Sequence, residues 1–380
     1  MPRAIEAIMN DPRLAIVHER FTEIAGSEHV VEQLSSTWPH AAVHVPLARP
    51  SGIPSGLHSP PVTTWVDGAY RLLGRTSYAP LMPLLPSAFR GMKLGEVDAV
   101  VVSHHAFATQ VAFATDAPVI AYVHSPARWA WDPAFRAQEA GGSVGAAVLA
   151  GLARVARRDE LKAVGRLDRI VANSTEVADR IQRWWGREAT VVHPPVDTHG
   201  FTPDHSIERE DFFLLAGRMV PYKRPDLAIR AARQAGKRLV VVGDGRWMDV
   251  CQELAADDTV FVGRVPHQQL LDLYRRARAL IMPGVEDFGI VPVEAMATGT
   301  PVIALGEGGA LDTVIPGKSG ILVPTGDDRR VIDGLAEAMA TFDPDSFDSR
   351  EIRSWAETFS RNAFRENMRR VVDSALAVHS

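Results

Sequence analysis

The sequence predicts an α/β protein of two doubly wound domains that face each other across a cleft. Three observations carry that reading. Short apolar runs alternate with amphipathic runs of helical period through the whole chain, which is the pattern of parallel strands covered on both faces. The alternation restarts after a proline-rich stretch, His193-Pro-Pro-Val-Asp-Thr-His-Gly-Phe-Thr-Pro203. Finally, the side chains able to do chemistry fall just beyond the strand ends, where ligands bind in such sheets. A chain of 380 residues is also too long for one ordinary core and suits two.

In the first half, strands are predicted at Leu14–His18, Ala41–Leu47, Ala99–Val102, Val119–Val123, Arg169–Ala172 and Thr190–Val192. Helices fit His29–Thr37 and Thr175–Trp184, and Arg49 to Pro61, rich in Pro, Gly and Ser, reads as a loop. In the second half, strands are predicted at Phe212–Ala216, Leu239–Val242, Val260–Val262, Leu280–Met282, Pro301–Ala304 and Gly320–Val323. Helices there fit Pro225–Gln234, His267–Ala277, Val291–Thr298 and Arg329–Ala340. The His193–Pro203 segment is expected to be an extended connector between the domains. Trp355, Phe359, Phe364, Met368, Val371 and Val372 recur at helical spacing near the C-terminus. They read either as a helix on the second domain or as a crossover onto the first.

Composition narrows the class. A net charge of −5 argues against a nucleic-acid partner, which calls for a basic face. Cys251 is the single cysteine, so neither an internal disulfide nor a cysteine-rich metal site is expected, consistent with a reducing cytoplasm. Met1 to Asn10 lacks the apolar core of a secretory signal, and no apolar run approaches the roughly 20 residues of a membrane span. The P-loop signature and the G-x-S-x-G nucleophile elbow are both absent. Asp343-Pro-Asp345 looks like an acidic metal pair but lies between helices, and reads as a solvated capping loop.

The stretch Met282 to Ile303 is the most telling. Glu286 and Glu294 are separated by seven residues, with a Phe-Gly turn between them and a helix expected from Ile290. Glu294 is expected in that helix's first turn, so both acids would sit beside unsatisfied amides and a positive dipole end. Acids that accept from hydroxyls, next to amides that hold phosphate oxygens, describe a site for a nucleotide-sugar. Gly217-Arg218 and Lys223 follow the strand Phe212–Ala216 and could offset a departing diphosphate without a metal. Solvated surface cations are the plainer alternative.

Other strand ends carry weaker signals. Val242-Gly-Asp-Gly-Arg246 is explained by a tight turn alone. Arg264 and Val265 could offer a cation and backbone groups to a nucleobase, or nothing. Gly26, between the first strand and helix, would let the backbone approach a charged group. His124 closes the strand Val119–Val123, with Trp129, Trp131 and Asp132 behind it. It could bond a sugar hydroxyl or the charge developing at the reacting bond, with the indoles stacking on sugar faces, or be a satisfied structural histidine. Asn173 could bond the same ligand or cap the following helix.

Together these residues resemble glycosyltransferase family 4, the retaining transferases of the GT-B fold: two Rossmann-like doubly wound domains facing across a cleft. The resemblance rests on Gly217-Arg218 with Lys223, on the pair Glu286 and Glu294, and on Gly299-Thr-Pro-Val-Ile303. The Phe359–Val372 segment is similar to that family's C-terminal helix, which crosses back to the first domain. It implies an acceptor-side domain of residues 1–200 with 356–380, and a nucleotide-sugar domain of residues 201–355. It further implies that Arg218 and Lys223 bind the donor diphosphate. Glu286 would contact the transferred sugar, with backbone groups of Phe288, Gly289, Ile290 and Val291. Glu294 would bind ribose hydroxyls, His124 would touch the sugar near its reacting carbon, and Gly26 would face the diphosphate. The chain departs from the family pattern at Ala25-Gly-Ser-Glu28, where many members carry Gly-Gly-Ala-Glu.

His124-Ser-Pro-Ala-Arg-Trp-Ala-Trp-Asp132, Tyr222-Lys-Arg-Pro-Asp226 and Val285-Glu-Asp-Phe-Gly289 resemble a mannosyltransferase-like subgroup of surface-polysaccharide enzymes. That favours GDP-mannose as donor, with a UDP-sugar as the alternative, no cofactor and no metal. The acceptor is expected to be a glycan, a lipid-linked or a small-molecule hydroxyl. Competing readings are a nucleotide-sugar epimerase, a glycan phosphorylase with a cofactor lysine, and a non-catalytic nucleotide-sugar-binding subunit. The family's work at the inner membrane face raises peripheral membrane contact through Arg71 to Leu94 or the basic Gly151 to Arg169, which otherwise read as packed helix and solvated face.

Overall fold

A computed structural model describes residues 11–133, 136 and 143–379; the opening segment Met1 to Asn10, read above for a signal, lies outside the described residues. The chain forms two compact units, residues 1–193 with 364–380 and residues 194–363.

The first unit holds a seven-stranded sheet of β1 (Leu14–His18), β2 (Ala42–Val45), β3 (Val62–Thr63), β4 (Ala99–His104), β5 (Val119–Val123), β6 (Arg169–Ala172) and β7 (Thr190–Val191). Their order is β3-β2-β1-β4-β5-β6-β7, and every pairing is parallel. The second unit holds β8 (Phe213–Ala216), β9 (Leu239–Val242), β10 (Thr259–Gly263), β11 (Leu280–Met282), β12 (Val302–Leu305) and β13 (Gly320–Val323). Its order is β10-β9-β8-β11-β12-β13, again all parallel. Both sheets therefore reverse direction of winding beside their first strand, between β1 and β4 and between β8 and β11.

Each sheet is buried on both faces, which is why its strands read as unbroken apolar runs. In β4, Ala99 and Val101 join one core cluster while Val100 and Val102 join the opposite one, as the two-residue pleat requires. In β8, Leu214 faces one cluster while Phe213 and Leu215 face the other. Element ends follow local chemistry. β2 stops at Val45 because Pro46 has no N–H to give, and β12 starts after Pro301 for the same reason. The helix Thr175–Trp185 begins at Ser174, whose hydroxyl accepts from the Val177 amide at 3.2 Å, and ends at Gly186 in the left-handed region.

Two departures from the sequence reading concern the segments between the units. The stretch after His193 is not a free extended connector: Val196 bridges Ser360, and Phe201 is buried against Tyr274. The C-terminal apolar series is broken at Thr358–Ser360 into two helices, Ser349–Glu357 and Arg361–His379. Ile352, Ala356 and Phe359 belong to the second unit's core, whereas Phe364, Met368, Val372 and Ala375 belong to the first unit's. Both readings of that series thus hold, each for its own half. Among the described residues, no helix is long and apolar enough to cross a membrane.

The ring of Phe364 is 1% exposed and meets Tyr122 edge-on at 5.5 Å. Phe364→Ala is expected to cost the first unit about 3–5 kcal/mol, read as a lowered urea midpoint for that unit.

Candidate functional site

In the second unit, the loops after β8 and β11 are neighbours because their strands are. Gly284 is glycine because a Cβ there would stand 2.5 Å from the Lys223 carbonyl oxygen; the two loops pass backbone on backbone. Lys223 ends a short turn, Pro221–Lys223, and is followed by Arg224 at φ 52, a conformation uncommon for a side chain of that size. The Arg224 guanidinium is held by Asp226 at 3.1 Å and Asp328 at 2.6 Å, which fixes this turn. Lys223 Nζ then donates to Glu286 Oε1, joining the two loops through a half-buried ion pair. Arg218 is exposed and donates to the Tyr222 hydroxyl at 3.0 Å.

Just past Glu286 the helix Ile290–Ala297 opens at Gly289, whose φ of 91 only glycine adopts readily, and no side chain caps it. Pro292 has no amide to leave unpaired, so Gly289, Ile290 and Val291 present the amides that lack partners inside the helix. Phe288 is buried against Phe359 at 5.5 Å and offers a ligand only its backbone. Glu294 is not in the first turn, as expected from sequence, but in the second, below those amides. It accepts from the Tyr274 hydroxyl at 3.3 Å. Burial pushes its carboxyl up to about 7, and the negative charge of Asp197 adds to the effect. The Tyr274 hydroxyl and the Lys223 charge only partly offset both.

Arg264 does not join this group. It is exposed at the end of β10, 3.8 Å from Asp244, and β10 is separated from β8 by β9. Val265 is half-buried against the core. Gly217, at φ 138, donates its amide to the Val242 carbonyl at 3.0 Å and lets the loop leave β8 at that angle.

In the first unit, Gly26 opens the helix Gly26–Thr37 after β1. The preceding amide, Ala25 N–H, donates to Glu28 Oε2 at 3.0 Å, so one of the helix-end donors is already used. Asn173 is buried with its Oδ1 accepting from the Ser174 hydroxyl at 3.0 Å, and Ser174, not Asn173, caps the helix. The aromatic cluster is largely committed to packing. Trp131 stacks on Trp184 at 6.1 Å and gives its indole N–H to Glu160, and Trp129 lies 6.1 Å from Phe107.

His124 is the end of a hydrogen-bonded chain that sequence reasoning missed. Its Nε2 lies 2.8 Å from Ser103 Oγ, which lies 3.0 Å from His18 Nδ1, while His18 Nε2 lies 3.2 Å from Glu28 Oε1. Burial alone would raise Glu28; the His18 hydrogen bond and charge override it and hold the carboxyl at about 2. Burial pushes His124 down to about 3, with His18 contributing, so the ring is neutral. The signal was available: His18 and His104–His105 end β1 and β4 just as His124 follows β5. Among the described residues, no three of His, Cys, Asp and Glu are grouped as a metal site.

Two parallel sheets of this order, each with polar side chains at its carboxyl edge, define the class of two-domain Rossmann-type proteins. Residues 201–345 match the model for glycosyl transferases group 1, and residues 24–199 match the model for glycosyltransferase family 4. The chain belongs to that family. It is 34% identical over 204 residues to the D-inositol 3-phosphate glycosyltransferase of Mycobacteroides abscessus, covering 47% of this chain and 46% of the relative. It is 33% identical over 252 residues to that of Saccharomonospora viridis, covering 58% and 57%. The chain spans about half the length of the curated relatives it matches. Anabaena HepE in complex with UDP superposes with a TM-score of 0.71 at 17% identity, over 95% of this chain and 100% of that one. Sucrose-phosphate synthase from Thermosynechococcus elongatus gives 0.73 at 19%, over 96% and 100%. These last two likenesses establish the GT-B class of fold.

The high Glu294 value has a sign. The native state keeps its proton up to about pH 7, against an ordinary 4.5, so it binds more protons than the unfolded chain in that window. This contribution to stability is full below about 4.5 and is lost as pH rises to 7. Glu294→Gln is expected to remove that fall and to be more stable than the parent above pH 7 by roughly 3 kcal/mol, measured by calorimetry between pH 4 and 8.

Proposed function

We propose that the protein is a retaining glycosyltransferase that moves a hexose from a nucleotide-sugar to an acceptor hydroxyl. The observation that carries this reading is the Lys223–Glu286 pair beside the uncapped start of Ile290–Ala297. A cation and backbone amides suit a diphosphate, while Glu286 and Glu294 suit the hydroxyls on either side of it. In the reaction, the bond from the sugar's anomeric carbon to the diphosphate oxygen breaks and its electron pair leaves with the phosphate. The acceptor oxygen bonds to that carbon on the same face, and its proton passes to the departing phosphate oxygen. Lys223 and Arg218 stabilise the departing charge. Glu286 orients the sugar and holds Lys223, and His124 contacts the sugar near the reacting carbon. The residues call for no metal in this scheme.

GDP-mannose is our favoured donor, on the mannosyltransferase-like stretches His124–Asp132, Tyr222–Asp226 and Val285–Gly289. A UDP-sugar is the second reading, because Anabaena HepE is described with UDP and UDP-glucose, and the pneumococcal O-GlcNAc transferase GtfA with UDP and GlcNAc. The relatives named D-inositol 3-phosphate glycosyltransferases make a phosphorylated polyol the first small acceptor to try. A lipid-linked acceptor would bring the protein to a membrane surface. Leu72, 90% exposed beside Arg71 and Leu73, supports such a contact. Failure to sediment with anionic liposomes at low salt would remove it.

Turnover of a panel of GDP- and UDP-sugars with and without EDTA tests the reading. Selective, EDTA-insensitive consumption of GDP-mannose is expected; consumption of a UDP-sugar alone would replace the donor, and no turnover of any donor would overturn the transfer reading. Lys223→Ala is expected to lower kcat about 10²–10³-fold. Glu286→Ala should lower kcat with little change in donor affinity, and the reverse result would take Glu286 out of the chemical step.

A further inference from the structure

The first unit contains a run of four polar side chains, Glu28, His18, Ser103 and His124, at successive distances of 3.2, 3.0 and 2.8 Å. The first three are 4%, 0% and 0% exposed. Such a run, drawn from three different strand ends and a helix, is expensive to bury unless each member is satisfied. Here each is. We propose that Glu28, His18 and Ser103 are positioning residues that fix the tautomer of His124, so that its Nδ1 faces the ligand as a bare acceptor. The proposal rests on the reading above in which His124 meets the transferred sugar.

The direction follows from counting protons. An ionised carboxylate can only accept, so His18 Nε2 carries the proton it shares with Glu28. In the proposed arrangement that is the one proton His18 carries, so its Nδ1 is bare and takes the Ser103 hydroxyl proton. Ser103 has only lone pairs left for His124, so His124 Nε2 is the protonated nitrogen and Nδ1 is not. Glu28 is locked in its role from the other side as well, since its Oε2 accepts from Ala25 N–H at 3.0 Å and Ser27 Oγ at 2.9 Å. The low values of Glu28 and His124 agree with an ionised acid at one end and a neutral ring at the other. The neighbouring rings leave the direction unchanged. Tyr122 packs edge-on to His124 at 5.2 Å, and His105, 6.2 Å away, is engaged by Arg20 at 3.1 Å. An acceptor at Nδ1 suits a sugar hydroxyl, which arrives with a proton to donate.

Glu28→Gln separates this from a merely structural role. With the amide oxygen kept on Ala25 N–H and Ser27, the amide nitrogen donates to His18 Nε2 and every bond in the chain reverses. His124 must then carry its proton on Nδ1. The full chain, labelled with ¹⁵N-histidine, is compared by two-bond ¹⁵N–¹H spectra at pH 8. The parent is expected to show His124 as the Nε2–H tautomer and Glu28→Gln as the Nδ1–H tautomer. Turnover of the donor found active above should fall at least about tenfold in kcat with KM little changed. Ser103→Ala should leave His124 exchanging between tautomers, and Ser103→Thr should restore one. Should Glu28→Gln not fold, the two Ser103 variants carry the test. An unchanged His124 tautomer in both Glu28→Gln and Ser103→Ala would overturn the relay, as would a reversed tautomer with kcat intact. A reversed tautomer in a protein that consumes no donor at all would instead overturn the transfer reading, with the relay itself upheld by its spectra.

Discussion

Parallel strands have to be re-entered from the far edge of the sheet, and the placement of every chemical group in this protein follows from that requirement. The returning segments are long enough to be helices, and the loops that leave the strands all collect at one edge. In both sheets the winding reverses beside the first strand, so the loops after β8 and β11 lie next to each other without a third loop between them. Lys223 and Glu286 are 63 positions apart in the chain and meet only because of that order. The same geometry in the first unit brings Ser103, at the end of β4, beside His18, at the end of β1, on a register that pairs the two residues directly.

Holding such loops still is a separate problem, because irregular backbone buries polar groups that no ladder satisfies. The protein solves it with charged side chains that take several backbone groups at once. Glu19, fully buried, accepts from the amides of His105, Ala106, Phe107 and Ala108 at 3.5, 3.2, 2.7 and 3.1 Å, and so folds the loop after β4 around one carboxylate. Arg353 donates to the carbonyls of Thr198, Phe201 and Ala297 at 2.6, 2.6 and 2.8 Å. It thereby ties the last turn of Ile290–Ala297 to the segment that enters the second unit. A cation at a helix C-terminus also complements the dipole whose other end carries the Gly289–Val291 amides. Removing either charge would strand three or four backbone partners at once, a larger loss than the pair energy of a surface salt bridge.

The alternation of strands and helices was legible because it is periodic, and the strand-end residues were legible because topology makes position informative. Gly217, Lys223, Glu286 and Gly289 could be found that way. What was not legible is pairing across distance. Nothing local distinguishes Ser103 from any serine that ends a strand, and its importance comes from two histidines 85 and 21 positions away. Arg264 sits at a strand end like the others, but strand order puts β9 between it and β8, so it stands apart from the Lys223–Glu286 pair. Glu294 was placed a turn too early although the start at Ile290 was read correctly: it is the fifth residue of the helix, beyond the roughly 3.6 that make its first turn.

Glu28 and Glu294 show how one residue type serves two purposes through its surroundings alone. Both are desolvated, and in both burial is the largest influence, acting upward. Glu28 receives donors from His18, Ser27 and the Ala25 amide, and is driven to about 2, a permanent acceptor fixed in one orientation. Glu294 receives one hydroxyl, from Tyr274 at 3.3 Å, with Asp197 repelling its charge, and stays near 7. A carboxylate with all its donors in place is finished as structure. One that is half-buried with a single protein donor leaves an oxygen open to a hydroxyl-bearing ligand. That difference is the physical ground for reading Glu28 as a residue that acts through its neighbours and Glu294 as one that acts on what is bound.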